Sequence, residues 1–392
     1  MKQLIKHIFN NLRYMDKQLF FASTILIIFG LFNIVTASSR EAISIEAPLY
    51  YYFFKHAQML LIGLFLGLII INTESKHYKP FVIVAYIAIC ALLFYLTFYG
   101  VSNRGAKNWI TIGPITFQPS ELAKPIIIVI LALLFEKFYK FFKTKDVNHY
   151  NQIATIFFAV IIPSAFIFLQ KDLGTMLIIL IIFAFMFATS PILKKEKIKS
   201  VLFVTVFGTL GCLLISAVSG KKLLSEAQME RFNYINPCSN YETSGYQICN
   251  GFIAINDGGL FGLGIGKSKQ KYSYIPEPHT DSIFAIIVEE YGLIFCLFIF
   301  FDYVYILWRI LEISSSSHTI RGRYICLGVA TYLFAHIFIN LGGLFGLIPL
   351  TGVPLPFLSY GGSFLISAVC SLCLVQRICI EKKKNIKNLQ KN

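Results

Sequence analysis

The sequence predicts an all-α polytopic membrane protein: about ten transmembrane helices, one long extracytoplasmic loop and a re-entrant Pro/Gly-rich segment. Three observations carry this. Of 392 residues, 56% are hydrophobic and only 14% charged, against roughly a quarter charged in a soluble domain. The apolar residues come in runs of about 20, enough to cross a ~30 Å hydrocarbon core as a helix. Basic residues gather in alternate connections between the runs. A span must satisfy its own backbone polar groups, which leaves helices or closed barrels, and the short alternating strands of a barrel are not seen.

The ten spans fall at 18–38, 56–73, 80–100, 118–136, 152–170, 173–193, 200–219, 280–305, 324–345 and 359–379. The fifth and sixth are interrupted by Lys171, Asp172 and Gly174, which reads as two helices on a tight turn or as one broken pair. The first run is too long for a signal-peptide core and is read as an uncleaved span. Lys137 and Lys140, Lys194 and Lys195, Arg321 and Arg323, and Lys382 to Lys384 occupy alternate connections. Short basic loops stay inside, so both termini are expected on the cytoplasmic side of the membrane. The net charge of +15 is then topological: it implies anionic membrane lipids and no nucleic acid.

The chain reads as a single domain, 1–392, with a lead at 1–17, a long outer loop at 220–279 and a basic tail at 380–392. Most cysteines sit in spans as small apolar fillers. Cys238 and Cys249 lie in the outer loop, where either a disulfide or two free thiols is open.

Polar residues concentrate in four clusters on the expected outer side, where long loops carry function. The first runs from Arg104 through Lys107 and Trp109 to Gln118, Pro119, Ser120, Glu121 and Lys124. Pro119 sets a helix start, with Ser120 or Gln118 as a cap, and Glu121 stands beside Lys124 on one face. It reads as a membrane-entry turn with one ion pair, or as a cationic pocket for an anionic headgroup. The second, Lys171-Asp172-Leu173-Gly174-Thr175, reads as a helix cap or as an ionisable pair at a span junction.

The third cluster runs from Gly245-Tyr246-Gln247 through a glycine-rich stretch to His279-Thr280-Asp281, then Glu289-Glu290. The glycines fit neither a P-loop nor a dinucleotide fingerprint. Lys267, Lys269 and Lys271 alternate as in an extended segment with one basic face. Asp281 is either a helix cap or a general base at a cavity mouth. Glu289 and Glu290 lie deeper, where an unpaired charge costs at least ~2.5 kcal/mol, with His336 or Asn340 as a partner. The fourth cluster, Gly346 to Ser363, holds prolines and glycines that exclude a regular helix. Such backbone near membrane depth must lie against protein or water.

Together these clusters resemble the SEDS family (shape, elongation, division and sporulation), which includes RodA and FtsW. The carriers are Gly105-Ala106, Trp109-Ile110 and Gln118-Pro119-Ser120-Glu121; Asp172-Leu173-Gly174-Thr175; Pro276-Glu277 with His279-Thr280-Asp281; and Pro354-Leu355-Pro356-Phe357 with Ser359-Tyr360-Gly361-Gly362-Ser363. The likeness covers nearly the whole chain. The Gly262–Lys271 stretch looks more like FtsW, while Pro354–Phe357 leans to RodA. Ser282, Lys171 and Phe364 depart from the usual phenylalanine, proline and serine, which touches fine geometry and no proposed catalytic group.

The resemblance implies an inverting peptidoglycan glycosyltransferase that polymerises lipid II outside the membrane for division or shape. It implies a class B penicillin-binding protein as partner, alongside other division or elongation membrane proteins. Asp281 maps onto the family's essential acidic residue and Trp109 onto its outer-loop tryptophan. Arg104, Lys107, Lys124 and Lys171 are candidates for the pyrophosphate; Glu121, Asp172, His279 and Ser359 complete the expected substrate site. No resident cofactor is expected, though a divalent cation (magnesium or manganese) can accompany a pyrophosphate. A lipid-linked precursor flippase and a non-catalytic division scaffold are the alternatives.

Overall fold

Each long apolar run closes its own backbone hydrogen bonds and becomes a helix. A computed structural model describes residues 2–390 apart from 104–105, 114, 143–148, 220–235, 242–244 and 273–274. After an amphipathic lead helix α1 (Lys2–Arg13) come α2 (Lys17–Ala37), a short α3 (Ser39–Ser44), α4 (Tyr51–Asn72) and α5 (Tyr78–Tyr99). Next are α6 (Pro119–Phe142), α7 (Tyr150–Leu169), α8 (Leu173–Thr189) and α9 (Lys194–Ser219). The remainder is α10 (Tyr246–Gly258), α11 (Ile283–Tyr291), α12 (Leu293–Ser315), α13 (Ile320–Leu344) and α14 (Gly362–Leu389).

Ten of these helices occupy the ten expected spans. Among the described residues, seven helices are long and apolar enough to cross a membrane; α6 carries more charge and α8 has 17 residues. The protein is an integral membrane protein. Large apolar side chains such as Phe65, Phe81, Phe158 and Phe298 are exposed outward, as lipid contact requires. α13 and α14 are instead buried on most faces and form the centre, with α6 against α13 and α4 against α14.

The closest helix pairs meet through small residues, as expected where apolar burial from lipid supplies little drive. Gly63 and Gly67, one turn apart on α4, face Ile366 and Cys373 of α14, and a Cβ on Gly67 would strike the Cys373 sulfur. A Cβ on Gly328 of α13 would strike Ile128 of α6.

Three expectations change, and one element is added. The eighth span is not 280–305. Its apolar run is continuous in sequence, but Gly292 at φ +84 divides it into the short, buried α11 and the spanning α12. The first outer loop adds a three-stranded antiparallel meander, β1 (Val101–Asn103), β2 (Ala106–Ile112) and β3 (Ile115–Phe117), to a mostly helical chain. Pro119 does open α6, but neither neighbour caps it: Gln118 turns its amide to Asp172 and the Ser120 hydroxyl is buried without a partner. The segment after Gly266 is not extended with one basic face; Gln270–Tyr272 is a 3-10 turn and Lys271 is buried.

The turn between α7 and α8 joins two packed helices. Lys171 adopts φ +63 there, and Asp172 caps α8 by accepting from the Thr175 amide at 3.1 Å. Cys238 and Cys249 form a disulfide that ties the 3-10 turn Pro237–Asn240 to α10.

Candidate functional site

The irregular segment between α13 and α14 gathers the site. Val353, Leu355, Phe357, Leu358 and Ser359 are buried, so their backbone groups must find protein partners. Asn340 of α13 donates to the carbonyls of Asp281 (2.7 Å) and Val353 (2.8 Å). His336, one turn earlier, bonds the Pro354 carbonyl through Nδ1 at 3.0 Å, and only Nδ1–H can donate to a carbonyl. Ser359 braces the segment from within: its Oγ accepts from the Leu355 amide at 2.8 Å. The Tyr360 amide donates to the His279 carbonyl at 2.8 Å. One segment thus fixes both sides of Asp281.

Asp281 sits just before α11 and is 6% exposed. Its Oδ1 accepts from Gln247 Nε2 at 3.1 Å and lies 3.2 Å from Thr280 Oγ1, whose hydroxyl donates to the Glu277 carbonyl at 2.8 Å. Gln247 also donates to Ser282 Oγ at 2.9 Å. Oδ2 faces Gly352, where an added Cβ would lie 3.8 Å away. Asp281 is not the side-chain cap of α11, whose N-cap is Ser282. Its carboxylate thus takes a side-chain amide hydrogen bond at Oδ1 and stays slightly exposed.

Three aromatic rings adjoin the site. Tyr52 lies 4.7 Å from the His279 ring and 5.2 Å from Tyr360, and His279 and Tyr360 are 5.3 Å apart.

Lys124 does not reach an open surface. It is fully buried, donates to Glu121 at 2.7 Å and lies 3.1 Å from His336 Nε2. The ion pair expected from the i, i+3 spacing exists, and its ammonium extends the hydrogen-bonded path to Pro354. In this arrangement the pair supports the Pro/Gly-rich segment, not a pyrophosphate at the surface.

Asp172 joins the meander to α8. Its Oδ2 accepts from Asn108 Nδ2 at 2.8 Å and Gln118 Nε2 at 2.7 Å. The Gln118 amide donates to Ser363 Oγ at 2.8 Å, and Gly174 packs against Thr351 and Val353. The first, second and fourth clusters therefore meet. Trp109 is half-buried on β2 and Lys171 is exposed at the α7–α8 turn. Lys107 belongs to β2, and Arg104 lies outside the described residues.

Glu289 and Glu290 do not pair with His336 or Asn340. Glu290 meets Lys271 at 2.7 Å, both buried. Glu289 accepts from Ser268 Oγ at 2.5 Å and the Lys269 amide at 2.7 Å. The glycine-rich turn makes this possible: Gly262 at φ +79 brings its backbone against Glu290, and the Leu263 and Gly264 amides bond the carbonyls of Glu289 and Glu290.

Comparison with known proteins agrees with this layout. The family model FTSW_RODA_SPOVE, described as a cell cycle protein, matches residues 17–384. A Bacillus subtilis relative named probable peptidoglycan glycosyltransferase FtsW is 32% identical over 379 residues, covering 94% of this chain and 91% of its own. Stage V sporulation protein E of the same organism is 32% identical, over 80% of this chain and 83% of its own. Among solved structures, a peptidoglycan synthase complex described as coordinating polymerization and crosslinking superposes with a TM-score of 0.71 at 24% identity, covering 94% of this chain and 98% of its own. Thermus thermophilus rod shape determining protein RodA superposes with a TM-score of 0.66 at 22% identity, covering 94% and 97%. These two likenesses show a shared fold.

Proposed function

The chain belongs to the FtsW, RodA and SpoVE family, and from that premise we propose that it polymerises lipid II into glycan strands at the outer face of the bacterial cytoplasmic membrane, with Asp281 as general base. It is a peptidoglycan glycosyltransferase, the activity its relatives' names carry. The observation that supports the base assignment is the setting of Asp281: a nearly buried carboxylate that accepts from Gln247 beside the irregular segment.

In this reading, a hydroxyl of one lipid II sugar attacks the anomeric carbon of another. A carbon–oxygen bond forms there as the bond to the lipid pyrophosphate breaks, with inversion, and Asp281 takes the hydroxyl proton. Such a base contributes typically ~10²–10⁴-fold. Arg104, Lys107 and Lys171 are the cations assigned to the departing pyrophosphate. Lys124, Glu121 and His336 act as positioning residues, and Trp109, His279 and Ser359 border the sugar path.

A divalent cation, magnesium or manganese, would enter with the substrate. No group of three ligating side chains occurs among the described residues, whereas one carboxylate plus phosphate oxygens suits magnesium. A class B penicillin-binding protein is the expected crosslinking partner, and both termini are placed in the cytoplasm.

The test is lipid II polymerisation by the purified protein with its penicillin-binding partner, crosslinking blocked. Wild type should make long strands and Asp281→Asn at equal folded amounts none. Equal strands from both would remove Asp281 as base; none from either, with the complex assembled, would return weight to transport or scaffolding.

A further inference from the structure

The end of the molecule opposite Asp281 holds a cavity of about 380 Å³ that polymerisation does not use. It lies where the α4–α5 connection, the α12–α13 connection and the last turns of α14 meet. Five Lys or Arg side chains line it against two Glu.

Both carboxylates are already engaged. Glu381 accepts from the Ser75 amide (2.6 Å), Ser75 Oγ (2.7 Å) and Arg377 Nε (3.0 Å). Glu74 pairs with Lys76. The cations are less well matched. Lys384 donates to the neutral amide of Asn11. Arg321 reaches Glu136 through Nη1 at 3.3 Å, while its buried Nε has no acceptor. Thr319 caps α13 and lines the wall, so the positive end of a 25-residue helix adds to the field.

Basic loops alone follow from topology. A cavity with excess cations and an unsatisfied guanidinium nitrogen does not follow from it; clefts lined by one sign of charge concentrate counter-ions.

We infer that this cavity binds the phosphate of an anionic glycerophospholipid. It stands at the ends of five spanning helices, the depth at which lipid headgroups lie and basic pockets between helices take them. A free phosphate shares the chemistry, and the experiment separates the two sources.

The full-length protein in detergent is titrated with dioleoylphosphatidylglycerol, dioleoylphosphatidylcholine or inorganic phosphate, and bound lipid is read by native mass spectrometry. Phosphatidylglycerol should be retained saturably and phosphatidylcholine should not. Lys382→Gln with Lys384→Gln should weaken retention about 10- to 30-fold. The Lys→Arg pair should keep it, as should Lys194→Gln with Lys195→Gln at the exposed start of α9. If the double variant loses its fold, Lys382→Gln alone decides the matter, because that side chain makes no hydrogen bond among the described residues. Unchanged retention in the Lys382 variants, or equal loss in the α9 pair, overturns the site. Displacement of the lipid by millimolar inorganic phosphate keeps a phosphate site but removes the lipid as its occupant.

Discussion

The two ends of α11 carry buried carboxylates in opposite settings. At its C-terminal end, Glu290 meets Lys271 and Glu289 takes a serine hydroxyl and backbone amides. The Glu290 charge there is neutralised by Lys271, and both oxygens of Glu289 accept hydrogen bonds. At its N-terminal end, Asp281 accepts from Gln247 at Oδ1 and keeps a little exposure. Burial alone therefore does not separate a structural carboxylate from a reactive one. Placement does: Glu290 is closed against Lys271, whereas Asp281 keeps a small exposure beside the irregular segment.

Four measurements would break or sharpen this contrast. Asp281→Asn should lower strand synthesis by about 10²–10⁴-fold with an unchanged thermal midpoint. The double change Lys271→Met with Glu290→Gln should leave synthesis within a few-fold. If the double change were as inactive as Asp281→Asn, the distinction would collapse.

Lys271→Met alone strands Glu290 and should cost about 3–5 kcal/mol, read as thermal unfolding in detergent, with most of the loss recovered in the double variant. Gln247→Leu should lower kcat about 10- to 100-fold, the worth of a hydrogen bond to a charged group, while leaving the midpoint in place. Gly292→Ala should cost about 1–3 kcal/mol, since φ is +84 and a Cβ would meet the Leu260 carbonyl. Its effect on synthesis should be the smallest of the four.

The spanning helices were legible because lipid imposes a length and an apolar composition on each one. The turn at Lys171–Asp172 was legible as a junction, since two charges cannot sit mid-span without cause. Gly292 was not, because glycine is tolerated in spans and the flanking residues stay apolar. The partners of Glu289 and Glu290 were missed for a different reason. Ser268 and Lys271 arrive from an upstream turn, and local spacing along a helix cannot see that fold-back. Gln247 was visible only as part of a motif, and its contact with Asp281 depends on α10 packing against α11. The meander between α5 and α6 escaped because β1 and β3 have three residues each.

The glycine pair at Gly63 and Gly67 sets unequal terms for sequence drift. Phe65, between them on the same helix, points outward and can be exchanged for any apolar neighbour. Gly67 admits a methyl group only where the Cys373 sulfur gives way. In a saturation library of this helix, the largest residue should prove the most replaceable and the smallest the least, an inversion of the pattern found in a water-soluble core.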